Sequence, residues 1–143
     1  MTTQDNLPPI PDGYEKFQSF PGFNKHIGPL YYRETEAEFR RAFRVDERHV
    51  NGMGICHGGM LMTLADLAFG HAISWKYNRY WVTVRLLTDF IASAQLGDWV
   101  EGSSEIVGQN GDFFITKGRI WAGEKTLMTG TGTFKMMGER PPR

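Results

Sequence analysis

Hydrophobic spacing sets one helical stretch between two groups of strand-like runs. After Gly59, at about 100° per residue, Leu61, Leu64, Ala65, Ala68, Ala72 and Trp75 fall on one apolar stripe. Asp66 lies off that stripe. It shares a side with Gly59, Met62, Phe69, Gly70 and Ile73, which is also apolar or small. A helix apolar on nearly all sides is buried on nearly all sides. Asp66 is therefore expected to be a carboxylate with little polar surface around it.

The flanking pattern is of a different kind. Gly13 to Phe23 carries Tyr14, Phe17 and Phe20 at helical spacing, then Pro21-Gly22, which predicts a short helix and a turn. Gly28 to Val45 reads as two strands, around Leu30-Tyr31-Tyr32 and over Ala37 to Val45. In the second, Phe39, Arg41, Phe43 and Val45 alternate with Glu38, Arg40, Ala42 and Arg44. That alternation fits a half-solvated antiparallel strand better than a phosphate-binding patch. Beyond the helix, four strands are predicted: Trp81 to Ala92, Trp99 to Val107, Phe113 to Ala122 and Lys125 to Met136. Asn110-Gly111 is a hairpin signal between two of them, and Gly123-Glu124 turns the chain between the last two. Met1 to Asp12, with Pro8, Pro9 and Pro11, reads as a polar tail or strap, and Gly138 to Arg143 as a C-terminal tail. With no repeat and no linker, residues 1–143 are expected to form a single α+β domain. Its antiparallel sheet of about six strands carries one long helix on its face.

Composition narrows the function classes. Sixteen basic and sixteen acidic residues give no formal net charge, which argues against a nucleic-acid binder and leaves self-association open. One cysteine among 143 residues, Cys56, excludes an internal disulfide and fits a reducing compartment. No charged and apolar leader opens the chain, and no window of about 18 apolar residues suggests a membrane span. A cytoplasmic location is the expectation. Cys56 with His26, His49 and His71 has no metal-ligand spacing, so no metal is expected.

The run Asn51-Gly52-Met53-Gly54-Ile55-Cys56-His57-Gly58-Gly59 holds four glycines just ahead of the helix. Such a run lets backbone approach a ligand closely. N–H groups at a helix N-terminus, with the dipole behind them, favour negative charge. Gly58 and Gly59 stand where those groups would be.

These residues resemble the signature of the hotdog-fold acyl-CoA thioesterases, in their PaaI-like branch. The resemblance runs from Asn51 through His57-Gly58-Gly59 to Leu64-Ala65-Asp66. It continues in Thr83-Val84-Arg85-Leu86-Leu87-Thr88-Asp89-Phe90-Ile91 and Leu96-Gly97-Asp98, and covers roughly Gly28 to Met136. It implies a hotdog fold and hydrolysis of an acyl-CoA to free CoA and a carboxylic acid. It needs no cofactor, CoA being part of the substrate. Its members are dimers, or tetramers built from dimers. Asp66 lies eight residues after Gly58, roughly 12 Å along a helix, too far to reach the same carbonyl carbon within one subunit. The resemblance therefore implies a site shared between subunits, in which Asn51, His57 and Gly58 of one face Asp66 of the other. Asp66 would be general base or nucleophile, and an apolar setting would raise its pKa. The Gly58 N–H would hold the oxyanion, Asn51 would hold or polarise water or thioester, and Thr83 would stand near the attacking water. Gly59 and Phe90 are candidate substrate contacts.

Plainer readings stand beside these. Asn51 next to Gly52 also suits a turn, His57 a loop cap and Thr83 an ordinary strand residue. Phe69, Trp75, Tyr77, Tyr80, Trp81 and Phe90 suit either a pocket or the core. Lys117, Arg119 and Lys135 suit either CoA phosphates or solvated strand faces. At the level of function, the alternative is a non-catalytic acyl-CoA binding or sensing module on the same fold. A hydratase-type hotdog enzyme ranks last, because the surroundings of His57 and Asp66 lack that family's pattern.

Overall fold

The structure is a computed structural model and describes residues 7–142. Residues 1–6 of the expected N-terminal tail, and Arg143 of the C-terminal one, lie outside the described residues. One antiparallel sheet of seven strands is wrapped on one long helix. Across the sheet the strands run β1 (Glu15–Lys16), β2 (Tyr31–Glu34), β3 (Phe39–Arg44), β5 (Trp99–Asn110), β6 (Phe113–Ala122), β7 (Lys125–Glu139) and β4 (Arg79–Phe90). The five-residue helix α1 (Phe23–Ile27) precedes β2, and the 20-residue helix α2 (Gly58–Tyr77) lies between β3 and β4 in the chain. This is the α+β, hotdog-type arrangement expected.

The α2 stripe is buried as its spacing predicts: Leu61, Leu64, Ala65 and Ala68 are all closed to solvent. The helix seats deeply because β6 and β7 offer it glycines. A Cβ on Gly118 would lie 2.6 Å from the Phe69 ring, and one on Gly130 3.2 Å from it. Phe69 therefore fills a dent that any larger residue would close. Ser104 Oγ, 3.1 Å from the carbonyls of both Ala68 and Phe69, adds a polar tie at the same level. Asn78 ends the helix in the left-handed region (φ 52°), its N–H donating to the Ser74 carbonyl.

Three local expectations are corrected. Gly13 to Phe23 is not a helix. It runs extended along the sheet edge as β1, and its aromatics part company: Tyr14 packs edge-on to Trp99, Phe17 lies under Arg41, and Phe20 is exposed. The Phe17 N–H is used by the Leu30 carbonyl, 2.8 Å away, and the helix forms only after Pro21-Gly22. Second, β3 is not half-solvated. Arg41 is 7% exposed on its inner face and Ala42 is closed on its outer face. The strap lies close by, for Arg44 Nη2 donates to the carbonyls of Pro8 and Pro9 at 3.3 and 3.0 Å. Third, β5 runs three residues past the expected Val107, to Asn110, so the turn is shorter than the strand bounds implied. The turn's two residues are Gly111 and Asp112, closed by Asn110 opposite Phe113, with Gly111 at φ 58°.

Candidate active site

The glycine-rich run folds onto its own first residue. Asn51 Oδ1 accepts from the N–H groups of Met53 (2.9 Å) and Ile55 (3.4 Å), and the Asn51 N–H donates to the Ile55 carbonyl (2.8 Å). The oxygen of this amide is spent on the loop, as a turn asparagine's would be. Its Nδ2 makes no hydrogen bond among the described residues. Two backbone bonds then fix where the loop meets α2: Cys56 N–H to the Ala94 carbonyl (2.9 Å) and His57 N–H to the His49 carbonyl (2.7 Å). His49 is itself buried and held at both ring nitrogens, Nδ1 accepting from Asp46 N–H and Nε2 donating to the Ile27 carbonyl.

His57 is the N-cap of α2. Its Nδ1 accepts the Gly59 N–H at 2.7 Å, so the ring proton sits on Nε2. Its carbonyl accepts from Met60 (2.9 Å) and Leu61 (3.3 Å). Of the four N–H groups in the first turn, only that of Gly58 is uncommitted among the described residues. Gly59 thus offers no free donor. What it offers is room, since a Cβ there would lie 2.9 Å from His57 Nδ1. Phe90 walls the open donor on one side, its ring 3.3 Å from where a Cβ on Gly58 would stand.

Asp66 lies two turns further along the same helix. Thr83 Oγ1 donates to Asp66 Oδ1, joining these two candidates directly. Burial pushes the Asp66 carboxyl above the usual carboxylate range, and the Thr83 bond offsets part of that rise. β4 covers α2 along the line of Gly58, Met62, Asp66 and Gly70. Trp81 packs on Gly70, Thr83 on Asp66, Thr88 Oγ1 lies 2.8 Å from Met62 Sδ, and Phe90 rests on Gly58. The candidates therefore fall into two clusters: Asn51, His57, Gly58, Gly59 and Phe90 at the helix start, Asp66 and Thr83 about 12 Å beyond by helical rise.

The remaining candidates sort clearly. Phe69 is core, Trp75 packs on Phe39, and Tyr77 packs on Phe114. Arg119 and Lys135 sit over the rings of Trp121 and Phe113, at 4.2 and 5.9 Å. Cys56 is buried, and burial with the nearby Asp98 pushes its thiol up to about 12, far from thiolate chemistry. One group escaped the sequence reading: Arg41, a guanidinium inside the fold. Its signal was present, as the one charge on a strand face otherwise made of Phe39, Phe43 and Val45.

Comparison with known proteins bears on this geometry. Residues 53–129 match the thioesterase superfamily model. The provisionally named esterase PA0474 of Pseudomonas aeruginosa is 33% identical over 131 residues, covering 89% of this chain and 97% of that one. The Escherichia coli PaaI protein, from the phenylacetic acid degradation operon, superposes with a TM-score of 0.72 at 24% identity, over 81% of this chain and 84% of its own. A hypothetical thioesterase protein of Streptococcus pneumoniae, solved with coenzyme A, gives 0.68 at 23% identity, over 78% and 88%. The two structural likenesses establish the fold, and the family match with the 33%-identical relative establishes membership: the chain belongs to the thioesterase superfamily and is a thioester hydrolase.

Proposed function

We propose that this protein hydrolyses acyl-CoA thioesters in a site shared between two copies of the chain. The observation that carries the reading is the division of labour along α2. One backbone N–H is left open at its glycine-framed start, and one half-buried carboxylate with a raised pKa lies two turns on. The Gly58 N–H of one protomer holds the thioester oxygen as negative charge develops, with the helix dipole behind it. Asp66 of the partner, oriented by Thr83, attacks the carbonyl carbon or takes a proton from water that does so. Asn51 contributes its Nδ2 donors and His57 keeps the first turn capped.

The unpaired edge of the sheet supports assembly. β4 ends the strand order and has β7 on one side only, leaving the other edge of a 12-residue strand unpaired among the described residues. Val82, Val84, Leu87, Phe90 and Ile91 on this strand and its end are each about half exposed. A long apolar edge of this kind invites pairing with a second copy, and two-fold pairing of β4 with β4 is the simplest closed solution. The solved neighbour carrying coenzyme A supports acyl-CoA as the substrate class.

The direct test is release of free thiol from a panel of acyl-CoAs by wild type and Asp66→Asn. Wild type turns over at least one member, while the variant falls by about three orders of magnitude with unchanged oligomeric state. Saturable acyl-CoA binding by wild type without thiol release would replace this reading with that of a binding module.

A further inference from the structure

A cavity of about 960 Å³ lies against the C-terminal half of α2. The segment from Lys16 to Asn24, the start of β4 and the chain around Arg140 close it. Its near wall adjoins the candidate carboxylate: Leu67 follows Asp66 in the chain, and Trp81 lies two residues before Thr83 on β4. The Trp81 indole is seated there because residue 70 is glycine, where a Cβ would come within 2.3 Å of the ring.

The inner wall is cationic. Arg41 is 7% exposed and makes no hydrogen bond or ion pair among the described residues, and its Nη2 is buried without a partner. The guanidinium lies over the Phe17 ring, 4.4 Å from its centroid, which leaves the edges of the fork for a ligand. Lys16, Arg79 and Arg140 also line the cavity, against one carboxylate, Glu34. Glu34 is already engaged, its Oε1 2.7 Å from His71 Nε2. Burial and the charge of Arg140 push the Arg41 guanidinium down to about 10, with Glu34 opposing them. A buried cation with no directly bonded anion is costly to leave so. Aromatic walls and a forked cation together suit an organic carboxylate, with bidentate pairing to the guanidinium.

We propose that this cavity receives the far end of the acyl group, and that the preferred substrates are acyl-CoAs whose acyl chain ends in a second carboxylate. The assignment rests on the acyl-CoA reading above and deepens it. Arg41 binds that carboxylate, Arg140 adds charge at the rim, and Phe17, Leu67 and Trp81 line the methylene path. His71 lies five residues past Asp66, so ~7.5 Å of helical rise separates reaction centre from cavity floor, which suits a chain of roughly six carbons.

The test compares adipyl-CoA with hexanoyl-CoA, alike in length and different in the end group. Wild type shows kcat/KM higher for adipyl-CoA on the order of tenfold or more, the cost of leaving a buried polar site unanswered. Arg41→Met removes that preference and leaves hexanoyl-CoA turnover within about threefold, and Arg41→Lys restores part of it. If Arg41→Met does not fold, Arg140→Gln narrows the preference in the same direction. Free adipate raises the Tm of wild type, and raises that of the Arg140→Gln variant less. Equal kcat/KM for the two substrates in wild type overturns the proposal. So does an Arg41→Met or Arg140→Gln variant that loses activity uniformly on both, since the anion would then belong to CoA itself. Stabilisation by adipate with no adipyl-CoA preference also overturns it and assigns the cavity to a free carboxylate. Hydrolysis of hexanoyl-CoA alone leaves the thioesterase reading standing while sinking this one, whereas no hydrolysis of any acyl-CoA sinks both.

Discussion

The two ends of α2 handle negative charge in opposite ways. At the start, between Asn51 and Gly59, the groups on offer are backbone N–H dipoles, and among the described residues the fold consumes all but those of Gly52, in the loop, and Gly58, at the helix start. Nothing there carries a full charge, so the region can stand partly open to solvent without a counter-ion. Towards the far end, Arg41 carries a full charge away from water, and Glu34 is shared with His71. Dipoles fixed by the backbone suit a charge that appears only during reaction, because they need not be neutralised between turnovers. A buried guanidinium suits a charge the substrate already has, because it is costly while empty. In the proposed site the former would serve catalysis and the latter specificity, with Asp66 between them.

The sharpest way to break this comparison is to show that the two clusters need not come from different copies. Gly58→Val keeps the backbone N–H but puts side-chain atoms where a carbonyl must approach it, against the Phe90 ring that already lies 3.3 Å from the Cβ position, and should cut turnover about 10² to 10³-fold, as blocking an oxyanion donor does. Asp66→Asn is similarly inactive. Mixed and allowed to exchange subunits, the two inactive proteins should regain about a quarter of wild-type activity. Half the dimers are then mixed, and each of those has one intact site of two. Recovery is read by thiol release against mixing ratio. No recovery, with subunit exchange verified by mass, would place both clusters in one copy and break the division argued here.

How much of this was legible in the sequence depends on range. The α2 stripe, the late strands and the Gly123 turn are local patterns, and they appear nearly where spacing puts them. The pairing of Thr83 with Asp66 was reachable only through family resemblance, for nothing in a strand threonine names its partner. Gly13 to Phe23 misled because Tyr14, Phe17 and Phe20 happen to be three apart, while their true partners, Trp99 and Arg41, are far along the chain. The 3.6-residue period cannot distinguish those cases. Arg41 was misjudged for a related reason. It shares the apolar face of β3 with Phe39 and Phe43, and the ring that covers it there, Phe17, stands twenty-four residues away in the chain. The choice of Gly58 over Gly59 as donor came with the family resemblance; its physical reason, the His57 ring taking the Gly59 N–H, is one that no spacing rule supplies.

A gentler perturbation asks whether the cap is structural or chemical. His57→Ala removes the acceptor for the Gly59 N–H. Loss of an N-cap costs about 1 kcal/mol, which for a domain of this size lowers Tm by roughly 3–5 °C. Since Gly58 keeps its own N–H, kcat should fall less than about tenfold, well short of the Gly58→Val effect. A fall as large as that of Asp66→Asn, with Tm unchanged, would make His57 a reacting group instead of a cap.

The smallest effect concerns the cost of holding Asp66 ready. Its folded pKa is raised from the ordinary 3.8, by burial first, with the Thr83 bond pulling the other way. The sign follows from linkage: a carboxyl raised on folding favours the fold while protonated, and that contribution is lost as pH rises through the folded pKa. At pH 8 the ionised carboxylate therefore destabilises the wild type relative to Asp66→Asn, and near pH 3 it does not. Because the group is only part-buried, solvent screening keeps the gain small, about 1–2 °C in Tm at pH 8. The same raised pKa should set the acid limb of kcat/KM in wild type above the usual carboxylate range. Calorimetry at the two pH values reads the first effect, and a pH–rate profile the second. If Asp66→Asn instead lowered Tm at pH 8, the carboxylate would be stabilising where it sits. A group stabilised in its charged form has less drive to take a proton, and the base would have to be sought elsewhere.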